Sequence, residues 1–282
     1  MVFSIKNEYL TATISSFGAE LISLKNTSRE YIWEGNPQFW VKHSPVLFPI
    51  VGTLKNSCYK FNDIKYELPR HGFARDCNFE MIAKSETEIV FSLKADEVSL
   101  KKYPFNFELQ LHYILINSNL HLKYKIINND VKPIPFSIGA HPAFALPKNF
   151  TDYTLKFDKQ ETLKSFTLED DLLSDNFFEI ALQDKMLALD YTLFANDALI
   201  FKNINSKKIT ILENDLPLLS IAYPEFKNLG IWTKPNAPFI CLEPWLGYSD
   251  VLNHNQNILE KQGIQIVSEN CTFDCFLTIS IL

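Results

Sequence analysis

Two ionisable side chains, His141 and Glu243, each lie at the end of an apolar run and directly before a proline. His141 belongs to SIGAHPAF (residues 137–144), and Glu243 belongs to FICLEPW (residues 239–245). A residue before proline is pushed toward extended backbone geometry, so each side chain is expected at the end of a strand. An imidazole and a carboxylate that meet in space could act as a general acid and a general base.

Each of the two segments also ends on an aromatic residue, Phe144 or Trp245. A flat apolar ring beside polar groups is what a sugar site requires. If the segments meet, the pattern indicates an enzyme that acts on a carbohydrate. The alternative is that both rings fill the core, as large aromatic side chains usually do.

The composition favours one large domain that acts on a small molecule. The chain has 282 residues, 46% of them hydrophobic, and 23 phenylalanines. Large β-sandwiches can reach this length as a single domain, so we predict one domain over residues 1–282. The net charge of -6 and the pI near 5.6 argue against a nucleic-acid or anionic-membrane partner.

Alternating apolar and polar residues predict antiparallel strands along most of the chain. Residues 109–115 and 120–126 alternate on either side of Asn117-Ser118-Asn119, which predicts a hairpin. Residues 59–66 predict another hairpin with a tight turn at Asn62-Asp63. We therefore predict an all-β fold, a large antiparallel β-sandwich of two packed sheets with few short helices.

Helix and targeting signals are few. Asn36-Pro37 predicts a short helix, and residues 184–189 are expected to form one or two helical turns. No secretory signal or 18-residue apolar run is visible. The five cysteines are odd in number and lack CxxC spacing. They predict reduced thiols in a cytoplasmic protein with no metal site.

Several short motifs then occur in an order that resembles the aldose 1-epimerase (galactose mutarotase) family, and most closely its shorter bacterial branch. They are FPIVG (48–52), RHGFAR (70–75), GAHPAF (139–144) and LEPW (242–245), with GAEL (18–21) and NPQFW (36–40) near the start. The resemblance spans nearly the whole chain. It implies a large antiparallel β-sandwich with the sugar site in a cleft on one concave sheet.

The resemblance also implies roles for individual residues. Glu243 matches the general base of the family, and His141 matches its general acid. His71 and Arg75 match polar groups that hold the sugar near its ring oxygen and hydroxyls. Asp197 resembles an aspartate that accepts hydrogen bonds from sugar hydroxyls. Such mutarotation needs no metal, no cofactor and no covalent intermediate.

Two departures from the family bear on the substrate. Thr53 follows Gly52 where galactose mutarotases carry arginine, and no arginine precedes Pro45 as it does in hexose-6-phosphate mutarotases. We therefore expect a free hexose as the substrate. We expect the protein to be a monomer or a homodimer. Alternatives are a hexose-6-phosphate mutarotase and a non-catalytic sugar-binding or sensor protein. A glycoside hydrolase would need two carboxylates, for which only Glu243 and Asp197 are candidates.

Overall fold

Antiparallel strands account for most of the computed structural model, which describes residues 1–282. Strands make up 51% of the residues and helices 7%, which confirms the predicted all-β class. No helix in the structure reaches the length and apolarity that a membrane span requires.

The elements follow one another along the chain as short strands joined by turns. The strands are β1 (Val2–Lys6), β2 (Thr11–Ser15), β3 (Glu20–Lys25), β4 (Val46–Leu47), β5 (Cys58–Phe61), β6 (Ile64–Glu67), β7 (Glu80–Lys84), β8 (Glu88–Lys94), β9 (Phe107–Ile116), β10 (Asn119–Asn128), β11 (Ile134–Phe136), β12 (Ile138–Ala140), β13 (Ala143–Ala145), β14 (Tyr153–Phe157), β15 (Thr162–Glu169), β16 (Leu172–Ala181), β17 (Met186–Ala188), β18 (Leu199–Phe201), β19 (Lys208–Glu213), β20 (Leu216–Ala222), β21 (Asn228–Trp232), β22 (Phe239–Leu246), β23 (Gln265–Val267) and β24 (Thr272–Ile281). The single α-helix, α1, is Glu97–Leu100, and 3₁₀ helices cover Lys55–Ser57, Ala74–Asp76, Phe150–Asp152, Tyr191–Phe194 and Ile258–Glu260.

Two large sheets form the predicted β-sandwich. One has nine strands in the order β17-β14-β19-β20-β24-β10-β9-β8-β7. The other has eight strands in the order β16-β15-β18-β21-β22-β12-β4, with β13 also paired to β22. The largest buried cluster has 67 residues and includes Ile5 and Ile279, so both ends of the chain contribute to one core. The single-domain interpretation itself stays a prediction.

The predicted hairpins are confirmed, and the predicted helical turns at 184–189 are wrong. Asn62 and Asp63 have φ of 50° and 61°, which is the left-handed geometry of a tight turn between β5 and β6. Asp184 and Lys185 have φ of 51° and 67° and lead into β17. A right-handed helix cannot continue through such residues.

The predicted helix at Asn36-Pro37 is only a turn. The Asn36 carboxamide oxygen accepts from the Gln38 N–H, and the Asn36 carbonyl accepts from the N–H groups of Phe39 and Trp40. The helical pattern then stops at Trp40. We had not predicted α1, whose first turn is capped by the Asp96 side chain.

Side-chain alternation along β22 separates the core from the site. Ile240, Leu242 and Leu246 belong to the main core between the sheets. The side chains of Cys241 and Glu243 face the opposite way, because successive residues of a strand point to opposite faces. β22, an interior strand of the eight-stranded sheet, therefore carries the candidate acid–base residue Glu243 on its outer face.

Candidate active site

The strand register brings His141 and Glu243 together. Gly139 is paired with Trp245, and Ala143 is paired with Cys241. Continuing this register by two residues from either pair places His141 opposite Glu243. The His141 Nε2 atom lies 3.2 Å from the Glu243 Oε2 atom. The structure thus joins the two segments whose meeting the sequence left open.

Glu243 does not lie at a strand end, as we had expected, but in the middle of β22. On one side of β22, Pro244 is paired with Leu229 of β21. On the other side it has no partner, because the pairing with β12 ends at Trp245 and the pairing with β13 ends at Cys241. Such an interruption of a ladder is where a strand can accommodate a proline. The position of Glu243 before a proline correctly predicted its extended backbone, but the prediction that the strand ends there is wrong.

A pocket of about 290 Å³ opens over this pair on the outer face of the eight-stranded sheet. Its size is at the lower end of small-molecule sites, which suits a single sugar ring rather than a polymer. The lining residues are Trp40, Gly52, Arg70, His71, Arg75, His141, Leu168, Asp197, Ala198, Ile200, Trp232, Glu243, Trp245, Tyr248 and Ser249. They include every predicted site residue except Phe144.

Phe144 is not a sugar platform. Its side chain is fully buried in the main core between the two sheets. Along this segment His141 and Ala143 share the outer face, so Phe144 points inward by the period of two. The core alternative for this ring is correct.

Trp245, in contrast, forms part of the pocket lining. Its indole lies across two glycines on the neighbouring strands β12 and β21. A Cβ atom on Gly139 would come within 2.7 Å of the indole, and one on Gly230 within 2.5 Å. The two glycines therefore leave the space in which the ring lies. The indole N–H is beside Glu243 but makes no hydrogen bond of acceptable geometry.

Two further tryptophans, which we had not predicted as site residues, surround His141. The Trp40 ring stacks on the imidazole with centroids 4.8 Å apart, and Trp232 contacts it edge-on at 6.0 Å. Trp232 lies in β21, beside β22 in the sheet. Only the sheet order reveals this neighbour, whereas Trp40 was visible as part of the NPQFW motif.

Hydrogen bonding fixes the tautomer of His71. The Gly52 N–H donates to the Nδ1 atom of His71 over 3.0 Å. Burial, together with the charges of Arg70 and Arg75 and the neighbouring His141, holds the pKa of His71 well below its usual range. The imidazole is therefore neutral, with its proton on Nε2.

This tautomer makes Arg70 a candidate site residue that we had not predicted. The Nε atom of Arg70 lies 3.3 Å from the Nε2 atom of His71. Because both atoms carry hydrogen, the contact joins two donors, and a shared acceptor would satisfy both. A sugar oxygen is such an acceptor. The Nη1 atom of Arg70 is held by Asp171 at 2.8 Å, in the turn between β15 and β16.

Burial perturbs the proton affinities of the central pair in opposite directions. It raises the pKa of Glu243 well above its usual value, with the Arg70 charge opposing the rise. Burial, assisted by the charges of Arg75 and Arg70, lowers the pKa of His141 to about 3. Both shifts favour the uncharged forms. A carboxylate with a raised pKa is a stronger base, and an imidazolium with a lowered pKa is a stronger acid.

Arg75 and Asp197 complete the polar lining. The Nη2 group of Arg75 donates to the Arg70 carbonyl over 2.9 Å, while its Nε–H has no hydrogen-bond partner. Asp197 is exposed at the rim and accepts from the Ala198 N–H over 2.7 Å. A second oxygen of this carboxylate can accept from a ligand hydroxyl.

One group of side chains in the site has metal-ligand character. Donor atoms of His141, Cys241 and Glu243 all lie within 4.8 Å of one another. The expectation of no metal site rested on the odd number and the spacing of the cysteines, and this spacing does not show that Cys241 lies beside His141 and Glu243.

The chain as a whole is similar to known proteins. A family model described as Aldose 1-epimerase matches residues 1–258. The chain is 34% identical over 278 residues to the chromosomal protein LacX of Lactococcus lactis subsp. lactis, and the match covers 93% of each chain.

Solved structures show the same similarity in three dimensions. A galactose mutarotase related enzyme from Lactobacillus acidophilus is 31% identical, with a TM-score of 0.94, 100% of this chain and 97% of that chain covered. A galactose mutarotase-like protein from Lactobacillus casei is 29% identical, with a TM-score of 0.93 and both chains covered in full.

Proposed function

The chain belongs to the aldose 1-epimerase family, and from that premise we propose that it interconverts the α and β anomers of a free hexose. The observation that carries the proposal is the buried contact of 3.2 Å between His141 and Glu243 inside a pocket of sugar size. The C1 hydroxyl and the ring oxygen of a hexose are bonded to the same carbon. An acid and a base in contact with each other can therefore reach both oxygens.

The pair can complete the reaction with one proton. Burial favours the form of the pair that has this proton on Glu243. In the minor form that has it on His141, the Glu243 carboxylate removes the proton of the C1 hydroxyl while the His141 imidazolium protonates the ring oxygen, and the bond from C1 to that oxygen breaks. The C1–C2 bond of the aldehyde then rotates. On closure His141 takes the proton back from the C5 hydroxyl, and Glu243 returns its proton to the C1 oxygen. No proton, electron or atom is gained or lost.

The other polar groups have positioning roles in this proposal. The Nε2–H of His71 and the Nε–H of Arg70 would donate to one sugar oxygen, and Asp197 would accept from hydroxyls at the rim. Trp245 offers its ring on the sheet side of the pocket.

The remaining alternatives fit the geometry less well. A glycoside hydrolase needs two carboxylates beside the scissile bond, whereas the direct partner of Glu243 is a histidine. A sugar sensor needs no buried base, and burying a carboxylate at 2% exposure is costly. The proposal is tested by polarimetry on freshly dissolved α-glucose, α-galactose and related aldoses. If the optical rotation of every sugar in the panel changed at its uncatalysed rate in the presence of the protein, the proposal would be contradicted.

A hexose 6-phosphate is the second candidate substrate, because the pocket holds Arg70 and Arg75 together. We nevertheless expect a higher kcat/KM for the free hexose. The nearby cations already have partners within the protein and are less available to a phosphate. Arg70 is paired with Asp171, Arg75 donates to a carbonyl, and Lys42 is paired with Asp76 at 3.0 Å. The comparison is made by measuring initial rates of anomer exchange for the free hexose and for its 6-phosphate at several salt concentrations. A higher kcat/KM for the 6-phosphate that falls with added salt would favour the second candidate.

Substitution of Arg75 by alanine is expected to raise KM for the hexose by roughly 10- to 100-fold, the effect of losing a charged hydrogen-bond donor. The melting temperature should change little, because Arg75 makes one hydrogen bond, to the nearby Arg70 carbonyl, and its only ion pair is a long contact of 3.6 Å with Asp76. Arg29→Ala is the matched control, since Arg29 pairs with Glu213 outside the pocket. A large drop in melting temperature with unchanged KM would identify Arg75 as a structural residue.

The pH profile of kcat/KM should lack an acidic limb near 6.5, the ordinary pKa of histidine. The active pair carries one proton, and it gains a second only at the lowered pKa of His141, about 3. It loses its last proton only above the raised pKa of Glu243. The apparent values belong to the pair and not to one residue. Polarimetry across the pH range that the fold tolerates, corrected for spontaneous exchange, measures the limbs. An acidic limb with its half-maximal rate near pH 6.5 would contradict the assignment.

A further inference from the structure

We propose that His141, Cys241 and Glu243 form a binding site for a thiophilic divalent cation such as Zn²⁺, and that the bound cation reversibly inhibits the enzyme. The inhibition rests on the proposed function, whereas the binding does not. Cys241 has no role in the proton transfers described above and does not line the pocket.

The sheet geometry places the three donors on one face. Cys241 and Glu243 are two residues apart in β22, so their side chains point the same way. His141 lies opposite Glu243 by register and diagonal to Cys241, and such diagonal neighbours are within reach of each other. Their donor atoms lie within 4.8 Å of one another. Two donors of a tetrahedral Zn²⁺ are about 3.6 Å apart, so the most distant donors need to close by up to about 1.2 Å.

The donor set suits zinc chemically. A thiolate, an imidazole and a carboxylate are the three ligand types that Zn²⁺ takes in proteins, and three protein ligands leave a fourth position for water. That position would face the pocket, through which the ion enters. The thiol and the carboxyl release their protons to solvent on binding. The resulting thiolate and carboxylate neutralise the charge of the cation within the protein.

The donors lie in a buried, largely apolar environment. His141 is 8% exposed, and its buried Nδ1 atom has no hydrogen-bond partner. Cys241 is fully buried and forms no disulfide. The aromatic side chains of Trp33 and Phe239 pack in the same cluster as Cys241. Polar donors within an apolar shell are the usual surroundings of a bound metal ion.

Binding would stop the sugar chemistry directly. The cation occupies a lone pair of Glu243 and a ring nitrogen of His141, so neither residue can exchange a proton with a hexose. Sugar and cation should therefore compete for the site.

Titration of tag-free protein with Co²⁺ tests the binding, because a cobalt–thiolate bond gives a charge-transfer absorption. We expect this absorption in the wild type and its loss on addition of Zn²⁺. Cys241→Ala should abolish it and weaken Zn²⁺ binding by calorimetry at least about 100-fold, since outer-shell changes alone cost 10- to 100-fold. Cys241→Ser keeps the shape of the side chain and should behave in the same way.

Cys275→Ala is the matched control, because Cys275 is equally buried in β24 of the other sheet. It should bind both cations like the wild type. Wild-type protein without the absorption, or Cys241→Ala with unchanged Zn²⁺ affinity, would overturn the site.

Anomer exchange provides the second readout. Zn²⁺ should inhibit the wild type and Cys275→Ala, with recovery on chelation by EDTA, and should leave Cys241→Ala active. Unchanged exchange in zinc-loaded wild type would overturn the inhibition. Cobalt binding in a protein without any exchange activity would leave the metal site in place and instead contradict the proposed function.

Discussion

Glu243→Gln is expected to lower kcat/KM for anomer exchange by about 10²- to 10⁴-fold, the usual contribution of one general base. The amide has nearly the same shape as the carboxylate but cannot take the proton of the C1 hydroxyl. The fold should survive, because the change removes a buried ionisable group and creates no cavity. Polarimetry on the hexose that the wild type uses best gives the ratio.

The matched control for this variant is Glu20→Gln. Glu20 is also a buried glutamate, at 8% exposure, but it accepts hydrogen bonds from the His43 and Ser44 N–H groups outside the pocket. Its loss should affect stability and leave the exchange rate near that of the wild type. Exchange at the wild-type rate in Glu243→Gln would exclude Glu243 as the base.

His141→Asn is expected to cause a loss of similar size, since general acids and bases contribute comparably. The double variant with Glu243→Gln should be scarcely worse than either single variant, because the two groups act in one transition state. A double loss equal to the product of the single losses would show that the two residues work independently.

His254→Asn controls for the loss of a buried imidazole. His254 is 9% exposed and lies 3.8 Å from the Asp250 carboxylate, away from the pocket lining. This control should retain exchange activity. If His254→Asn lost as much activity as His141→Asn, the loss would reflect general disruption of buried histidine–carboxylate contacts and would not identify an acid.

Local sequence patterns predicted most of the strands because alternation and turn residues act over a few positions. The hairpins at Asn62-Asp63 and Asn117-Ser118 are such cases. The turn at Asp184-Lys185 was misread because a short apolar run fits a helix and a strand equally well. The side of the strand on which Phe144 lies depended on the register of its neighbours, which no local pattern contains.

For the site, too, local patterns identified some residues, and the contacts between strands identified others. Position before proline at the end of an apolar run singled out His141 and Glu243, and the resemblance to the family added His71, Arg75 and Asp197. All five residues line the pocket. Trp232 and Cys241 were not predicted, because their relevance comes from the neighbours of β22 in the sheet. Arg70 was visible in the RHGFAR motif, but its meaning came from the proton that the Gly52 N–H forces onto the far nitrogen of the His71 ring.

Saturation transfer between the anomeric proton resonances of an equilibrated hexose tests the central claim most directly. We predict that saturating the α resonance reduces the β resonance in proportion to the concentration of wild-type enzyme. The double variant Glu243→Gln/His141→Asn should give only the transfer seen without protein. Transfer by the double variant at the wild-type level, or no transfer by the wild type for any hexose that it binds, would contradict the proposed proton transfers between the hexose and the two residues Glu243 and His141.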